Sequence, residues 1–167
     1  MRVRLGNFQL GVTRTWFVAQ ALCVLGFSVL AYWTVLGHLG ARLTPLSSLW
    51  VGLVLLVALD LTIVVHEAGH AVAAMLAGVR VRAVLFVAYG GATIREASPD
   101  RRVDRWTAAA GPLANFAAAG ACALVLACLP SDGGLSATVM VAAALQAVNG
   151  LVNLAPLARC DGARIFG

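Results

Sequence analysis

The stretch VGLVLLVALDLTIVVHEAGH, residues 51–70, is a long apolar run that ends in three ionisable side chains. An α-helix needs about 20 apolar residues to cross the hydrocarbon core of a bilayer, and this run has that length. His66, Glu67 and His70 stand at its end, and Asp60 lies inside it. Because ionisable residues within a span are costly, they mark a functional site by default. The stretch therefore predicts a membrane helix that carries chemistry.

The composition of the whole chain agrees with a membrane protein. Of its 167 residues, 61% are apolar and 11% are charged, whereas soluble domains have roughly 45–50% and about 25%. A soluble domain of this size cannot bury so much apolar surface, and intrinsic disorder needs the opposite composition. We expect an all-α polytopic membrane protein in which residues 1–167 form a single membrane-embedded domain.

Four apolar stretches are long enough to cross the membrane as helices. They are residues 16–36, 49–77, 106–129 and 135–157. A shorter segment, residues 79–96, is rich in Val, Phe and Tyr and contains the turn signal Gly90-Gly91. We expect a short β-hairpin there, between the second and third helices. It should rest at the cytoplasmic membrane surface, because unpaired backbone is not tolerated against lipid.

The basic residues, all of them arginine, predict the orientation of the spans. With the N-terminus inside, Arg42 alone falls on the outer side and the other arginines are cytoplasmic. This asymmetry follows the positive-inside rule, so we expect both termini in the cytoplasm. The second and fourth spans then run in the same direction and end in the same leaflet. Arginines placed between apolar runs are explained by this orientation, and no nucleic acid partner is expected.

Residues 66–70, His-Glu-Ala-Gly-His, form an HExxH motif. Positions i and i+4 share one face of a helix, so His66 and His70 can bind one metal ion. Glu67 lies beside them as a general base. The chain contains only three histidines in all, so two of them here beside a glutamate are difficult to explain as packing. The structural alternative is a hydrogen-bonded polar cluster between helices.

A catalytic zinc usually takes three protein ligands and a water molecule. The candidates for the third ligand are Asp60, Glu96, His38, Cys160 and Asp161. His38 falls on the opposite side of the membrane, and Asp60 shares the helix of the motif and cannot easily reach its metal. Glu96 would require the hairpin to fold back. Cys160 and Asp161 both follow the fourth span in the correct leaflet, and spacing does not choose between them.

Three segments resemble the site-2 protease family of intramembrane zinc metalloproteases. They are HEAGH at 66–70, AAGPLAN at 109–115 and NLAPLARCDG at 153–162. They follow the order of the family's HExxH, Gly-Pro-x-x-Asn and Asn-x-x-Pro to Asp-Gly motifs. A hairpin-like segment and a basic loop separate the first two, as in the family. The resemblance covers the second to fourth spans.

The resemblance implies a zinc ion bound by His66, His70 and Asp161, with Glu67 as the catalytic residue that activates water. It thus favours Asp161 over Cys160, which stands where the family more often has leucine.

Two asparagines also match the family motifs. The resemblance implies that Asn153 helps to position the substrate or a helix near the metal. Asn115 belongs to the Gly-Pro-x-x-Asn helix and is a further candidate for substrate positioning. For each of them, a purely structural role between helices is an equal alternative. Pro156 would break the fourth span and aim Asp161 inward.

The implied function is an intramembrane zinc metalloprotease that hydrolyses a peptide bond in or near the transmembrane segment of a membrane protein. This reaction is regulated intramembrane proteolysis, and the hairpin would accept the unwound substrate as an added strand. By resemblance, the expected partner is a membrane-tethered regulator such as an anti-sigma factor, in a bacterial cell membrane. The alternative is a catalytically silent membrane scaffold or metal-binding subunit. Retention of Glu67 argues against it, because metal binding alone does not need that base.

Overall fold

The computed structural model describes residues 1–5, 8–38, 44–88, 90–130, 134–158 and 160–167. Arg42, on which part of the orientation prediction depends, lies outside these residues, and so does the side chain of His38. The described elements are, in chain order, β1 (Arg2–Leu5), β2 (Phe8–Val12), α1 (Arg14–His38), α2 (Pro45–Leu76), β3 (Val81–Val87), β4 (Gly90–Arg95), α3 (Arg101–Leu126), α4 (Gly134–Leu154) and α5 (Gly162–Phe166).

Within the described residues, the four helices α1 to α4 are long and apolar enough to cross a membrane. Large apolar side chains cover their outer faces, among them Leu22, Trp50, Leu124 and Leu151, each more than 60% exposed. Such exposure is costly in water and favourable in lipid. The expected polytopic membrane protein is therefore confirmed.

The ends of the helices follow capping and proline rules. The second helix begins at Pro45 rather than at residue 49, because Thr44 Oγ1 accepts a hydrogen bond from the backbone N–H of Ser47 at 3.1 Å. Pro45 fits the first turn, where its missing N–H costs nothing. The fourth helix ends at Leu154 rather than at residue 157. Pro156 accounts for this end, because a proline disfavours helical backbone in the residue before it.

The expected hairpin is present as β3 and β4, which pair antiparallel. Two further strands, β1 and β2, were not expected from the sequence, and they join the hairpin in a four-stranded sheet of order β1-β2-β3-β4. β2 pairs with β3 in parallel, with Leu10 opposite Val84. β1 and β2 are only four and five residues long, and arginines lie within and beside them. Their sequences therefore gave no strand signal. Pairing with the apolar β3 is what orders them.

A small apolar cluster attaches the sheet to the end of α2. Ala74, Val81 and Val84 are buried together, and Leu10 and Phe86 pack against them. β4 lies at the free end of the strand order and also contacts α2. α3 packs against both α2 and α4. The sheet, α3 and α4 all contact α2, and the last turns of α2 bury His66, Glu67, His70 and Ala74.

Candidate active site

The structure brings His66, His70 and Asp161 together. His66 and His70 are one turn apart on α2, and their Nε2 atoms are 3.1 Å apart. Asp161, in the turn after α4, places its Oδ2 atom 3.1 Å from each of these nitrogens. Both histidines are buried and Asp161 is half-buried. The three atoms form a nearly equilateral triangle.

Hydrogen bonds fix the orientation of both imidazole rings. His66 Nδ1 lies 2.6 Å from Asn115 Oδ1, and His70 Nδ1 lies 2.7 Å from the main-chain oxygen of Thr107. Carbonyl oxygens only accept hydrogen bonds, so each Nδ1 is the donor. In the neutral rings the lone pairs of both Nε2 atoms then point to Asp161. Metal-binding histidines are usually held in this way by their other ring nitrogen.

The triangle has the geometry of a cation site. The buried Asp161 Oδ2 makes no hydrogen bond to the described residues. An anionic oxygen and two ring nitrogens so close together need a positive charge between them. Tetrahedral zinc, with bonds of about 2.0–2.1 Å, separates its ligands by about 3.3 Å, so the residues fit zinc.

Gly111 of the AAGPLAN segment lets α3 approach the two rings. A Cβ atom at this position would lie 2.4 Å from His70 Nε2 and 2.9 Å from His66 Cε1. These distances are shorter than any tolerated contact, so a side chain here would displace the rings. The glycine of this motif therefore keeps open the space that the cluster occupies.

Glu67 is buried beside the cluster and touches β4. Thr93 Oγ1 donates a hydrogen bond to Glu67 Oε2 at 2.6 Å. A Cβ atom at Gly91 would lie 2.3 Å from Glu67 Cγ and 2.6 Å from its Oε1. Gly90, with φ 140°, has the conformation that only glycine adopts easily. Of the Gly90-Gly91 pair, the first makes the turn and the second makes room for Glu67.

Asn115 is completely buried and uses both ends of its amide. Its Oδ1 faces the His66 ring at 2.6 Å and accepts a hydrogen bond from Asn149 Nδ2 at 3.2 Å. Its Nδ2 donates to the main-chain oxygen of Thr62 at 3.1 Å. A short second hydrogen bond runs from Nδ2 to Gln146 Oε1. Asn115 therefore touches a histidine of the cluster and has no exposed surface.

Asn153 lies closer to the surface of the site. Its Nδ2 donates to the main-chain oxygen of Asn149 at 3.0 Å and to Asn149 Oδ1 at 3.2 Å. A cavity of about 350 Å³ opens next to His66, His70 and Asp161, between β4 and α4, and both asparagines line it. Glu67 and Thr93 line the same cavity.

An ion-pair network closes one side of this cavity. Asp104 of α3 accepts hydrogen bonds at its Oδ1 atom from Arg164 Nη2, at 2.6 Å, and from Arg95 Nη2. Arg95 belongs to β4 and Arg164 to α5, and both line the cavity. One carboxylate thus ties together three elements that surround the site.

The other candidates for the third ligand lie elsewhere. Asp60 accepts a hydrogen bond from Gln20 Nε2 at 2.5 Å, and so links α2 to α1. Glu96 pairs with Arg82 at 3.1 Å. Cys160 is half-buried. In the described part of the chain, the group of His, Cys, Asp and Glu side chains that could hold a metal contains His66, His70 and Asp161.

Sequence reasoning did not name four residues that contact the site. They are Thr93, Thr107, Gln146 and Asn149. Threonine gives no signal by itself, because it is common in strands and helices. Gln146, Asn149 and Asn153, however, are spaced by three and four residues in an otherwise apolar span. This spacing places them on one helix face and was a signal that could have found them.

Comparisons with known proteins agree with this architecture. The model of peptidase family M50 matches residues 54–132, which include HEAGH and AAGPLAN. Among solved structures, the chain is similar to the site-2 protease from Methanocaldococcus jannaschii, with a TM-score of 0.71 and 20% sequence identity. That likeness covers 99% of this chain and 69% of the other. The search of curated proteins gave no match.

The family match contains the first two of the three motifs that carry the sequence resemblance, and the third, at 153–162, lies beyond it. Residues 54–132 are thus similar to peptidase family M50, and the whole chain has the fold of the site-2 protease.

Proposed function

We propose that this protein is an intramembrane zinc endopeptidase that cuts a membrane protein in or near its transmembrane segment. One observation carries the proposal: a carboxylate, Glu67, lies beside a buried triangle of potential zinc ligands, and both face one cavity. A polar cluster that served only to join helices would not need a cavity or a base beside it. His66, His70 and Asp161 are the proposed ligands.

The mechanism follows from the positions of these groups. A zinc ion held there would act as a Lewis acid on the scissile carbonyl and on the attacking water. Glu67 accepts the proton of that water and returns it to the leaving amine. Thr93 holds one oxygen of the Glu67 carboxylate through its hydroxyl, at 2.6 Å. The other oxygen, Oε1, then remains for the proton.

A transmembrane substrate must expose its peptide bond before it can react, because its carbonyls are engaged in helical hydrogen bonds. β4 offers a place for an extended segment. It is at the end of the strand order, with β3 on one side, and its residues Gly90 to Thr93 line the cavity. An unwound substrate added to β4 as a fifth strand would pass beside Glu67.

The substrate class and the setting follow from the same proposal. The partner is a membrane protein, and a membrane-tethered regulator such as an anti-sigma factor fits the cut made in or near a span. The bilayer is that of a bacterial cell, with both termini in the cytoplasm, as the arginine distribution predicts.

The decisive experiment is the variant Glu67→Gln, assayed with a reporter transmembrane substrate in detergent or in lipid vesicles. We expect zinc to remain bound and cleavage to fall about 10²–10⁴-fold, the usual contribution of a general base. The matched control is Glu96→Gln, because Glu96 is the other glutamate and pairs only with Arg82 among the described residues. Equal cleavage by Glu67→Gln and the unchanged protein would refute the proposed protease.

Substrate capture by β4 has a separate test. N–H groups along a strand point alternately to its two sides, and proline removes one. Proline is therefore placed singly at each position from Ala92 to Ile94. Proline at positions facing the free edge should reduce cleavage and leave zinc affinity unchanged. If cleavage is unchanged wherever zinc affinity is preserved, substrate does not pair with β4.

A further inference from the structure

Three amide side chains lie on one face of α4: Gln146, Asn149 and Asn153. Asn149 stands between the other two and belongs to none of the three family motifs. It lines the cavity and is bonded both to Asn153 and to Asn115. It is thus the link between an amide at the cavity surface and an amide that holds a histidine.

The hydrogen bonds of this link have a fixed direction. Asn153 donates from Nδ2 to the main-chain oxygen of Asn149 at 3.0 Å. Since a main-chain oxygen only accepts, Asn153 must present its nitrogen on this side. Asn149 therefore presents its own oxygen to Asn153, at 3.2 Å. Its nitrogen is left to donate to Asn115, also at 3.2 Å.

The far end of the link is fixed in the same way. Asn115 donates from Nδ2 to the main-chain oxygen of Thr62 at 3.1 Å, and also to Gln146 Oε1. Its oxygen is therefore turned to Asn149 and to His66 Nδ1. Two main-chain carbonyls, one on α4 and one on α2, thus set the direction of the whole chain of amides.

This direction matters because an amide has almost the same shape when it is flipped. Packing alone does not decide which end of Asn115 meets His66, whereas the hydrogen bonds do. A flipped amide would turn its N–H₂ group to His66 Nδ1, and the ring would then carry its proton on Nε2, facing the metal site. Because Asn115 is completely buried, an unsatisfied partner there would be costly.

We propose that Asn149 is a positioning residue that couples Asn153, at the cavity surface, to His66 in the metal cluster. Gln146 anchors the buried end of the same chain of amides. Asn149 holds the Asn153 side chain in place for the substrate and holds Asn115 so that His66 presents its lone pair. The substrate half of this inference rests on the proposed protease function. The metal half does not depend on it.

The test uses two readouts, the zinc affinity measured by competition with a chromophoric chelator and the KM for a reporter substrate. Asn149→Leu should change both: zinc affinity falls about tenfold, the lower end of the range for outer partners of metal ligands, and KM rises. Asn153→Leu should raise KM only, and Gln146→Met should lower zinc affinity only. Asn149→Ser, which is too short to reach Asn115, should repeat the loss of zinc affinity if the leucine variant does not fold.

Two controls separate this role from general stability. Gln146→Glu keeps an oxygen of the same reach and should restore the zinc affinity that Gln146→Met loses. Thr138→Val removes a polar group from an exposed site on the same helix and should change neither readout. Unchanged zinc affinity in folded Asn149→Leu or Asn149→Ser would overturn the proposal. Because zinc binding is measured without substrate, this result is distinct from a failure of the protease assay.

Discussion

The two halves of α2 bury different kinds of residues. In the first half the buried residues are Ser48, Gly52 and Ala58, which are small. A Cβ atom at Gly52 would lie 2.2 Å from Ser28 Oγ of α1, so the small residues allow this helix to approach closely. The second half buries Thr62, His66, Glu67, His70 and Ala74, and four of these five are polar.

The ionisable side chains that α2 buries, His66, Glu67 and His70, all lie in its second half. In the first half, lipid and α1 cover the helix, and no polar group of the cluster is present. In the second half, each buried polar side chain of the site has a partner from another element: α3 for the two histidines and β4 for Glu67. Substitutions in the first half should therefore change the stability of the protein, and substitutions in the second half should change metal binding and catalysis.

The largest effect is expected at Asp161, the acidic member of the cluster. Asp161→Ala removes the carboxylate that lies 3.1 Å from both histidine nitrogens. Zinc affinity should fall more than about 100-fold, beyond the loss for an outer partner, and cleavage should disappear. Metal content after purification and chelator competition measure this change. Cys160→Ala is the control, and if it abolishes zinc binding instead, the thiol is the ligand.

A smaller effect is expected at Thr93, which touches Glu67 but none of His66, His70 and Asp161. Thr93→Val keeps the shape of the side chain and removes the donor of the 2.6 Å hydrogen bond to Glu67. We expect kcat to fall about tenfold, the equivalent of roughly 1.4 kcal/mol, with zinc affinity unchanged. Thr93→Ser, which keeps the hydroxyl, should restore most of the rate. Equal rates for the serine and valine variants would show that the hydroxyl is not used.

The smallest effect is expected at Asp60, near the boundary between the two halves. Asp60→Ala breaks the hydrogen bond from Gln20 that joins α1 to α2. Hydrogen bonds between membrane helices average about 0.6 kcal/mol, so the protein should unfold slightly more easily in detergent. Zinc affinity and kcat should stay within about twofold. A large loss of cleavage with intact zinc binding would place Asp60 among the catalytic groups and would contradict the division of α2.

Much of this architecture could be predicted because its signals are local. Apolar runs long enough for a bilayer predicted the four helices, and the Gly90-Gly91 pair predicted the hairpin. The HExxH spacing named two histidines that the structure brings within 3.1 Å of each other. The prediction of Asp161 as the third ligand depended on the family resemblance, because spacing alone did not distinguish Asp161 from Cys160.

The rest depends on contacts between distant parts of the chain. β1 and β2 become strands because β3 offers an apolar edge more than 60 residues later. Thr93 reaches Glu67 only when the hairpin packs on α2. Gln146, Asn149 and Asn153 are three and four residues apart and lie on one face of an apolar span. The sequence alone could therefore have indicated this polar face.

The parallel pairing of β2 with β3 has a consequence for the way the chain threads the membrane. Between these strands lie α1 and α2, so the polypeptide crosses the bilayer an even number of times before it returns. With an odd number of crossings, the two strands would emerge on opposite sides and could never meet. The helices α3 and α4 add two further crossings, so Asp161 lies on the side of the membrane where α2 ends. The sheet and the group of His66, His70 and Asp161 are therefore each assembled on one side of the bilayer, and adding or removing one crossing would separate both.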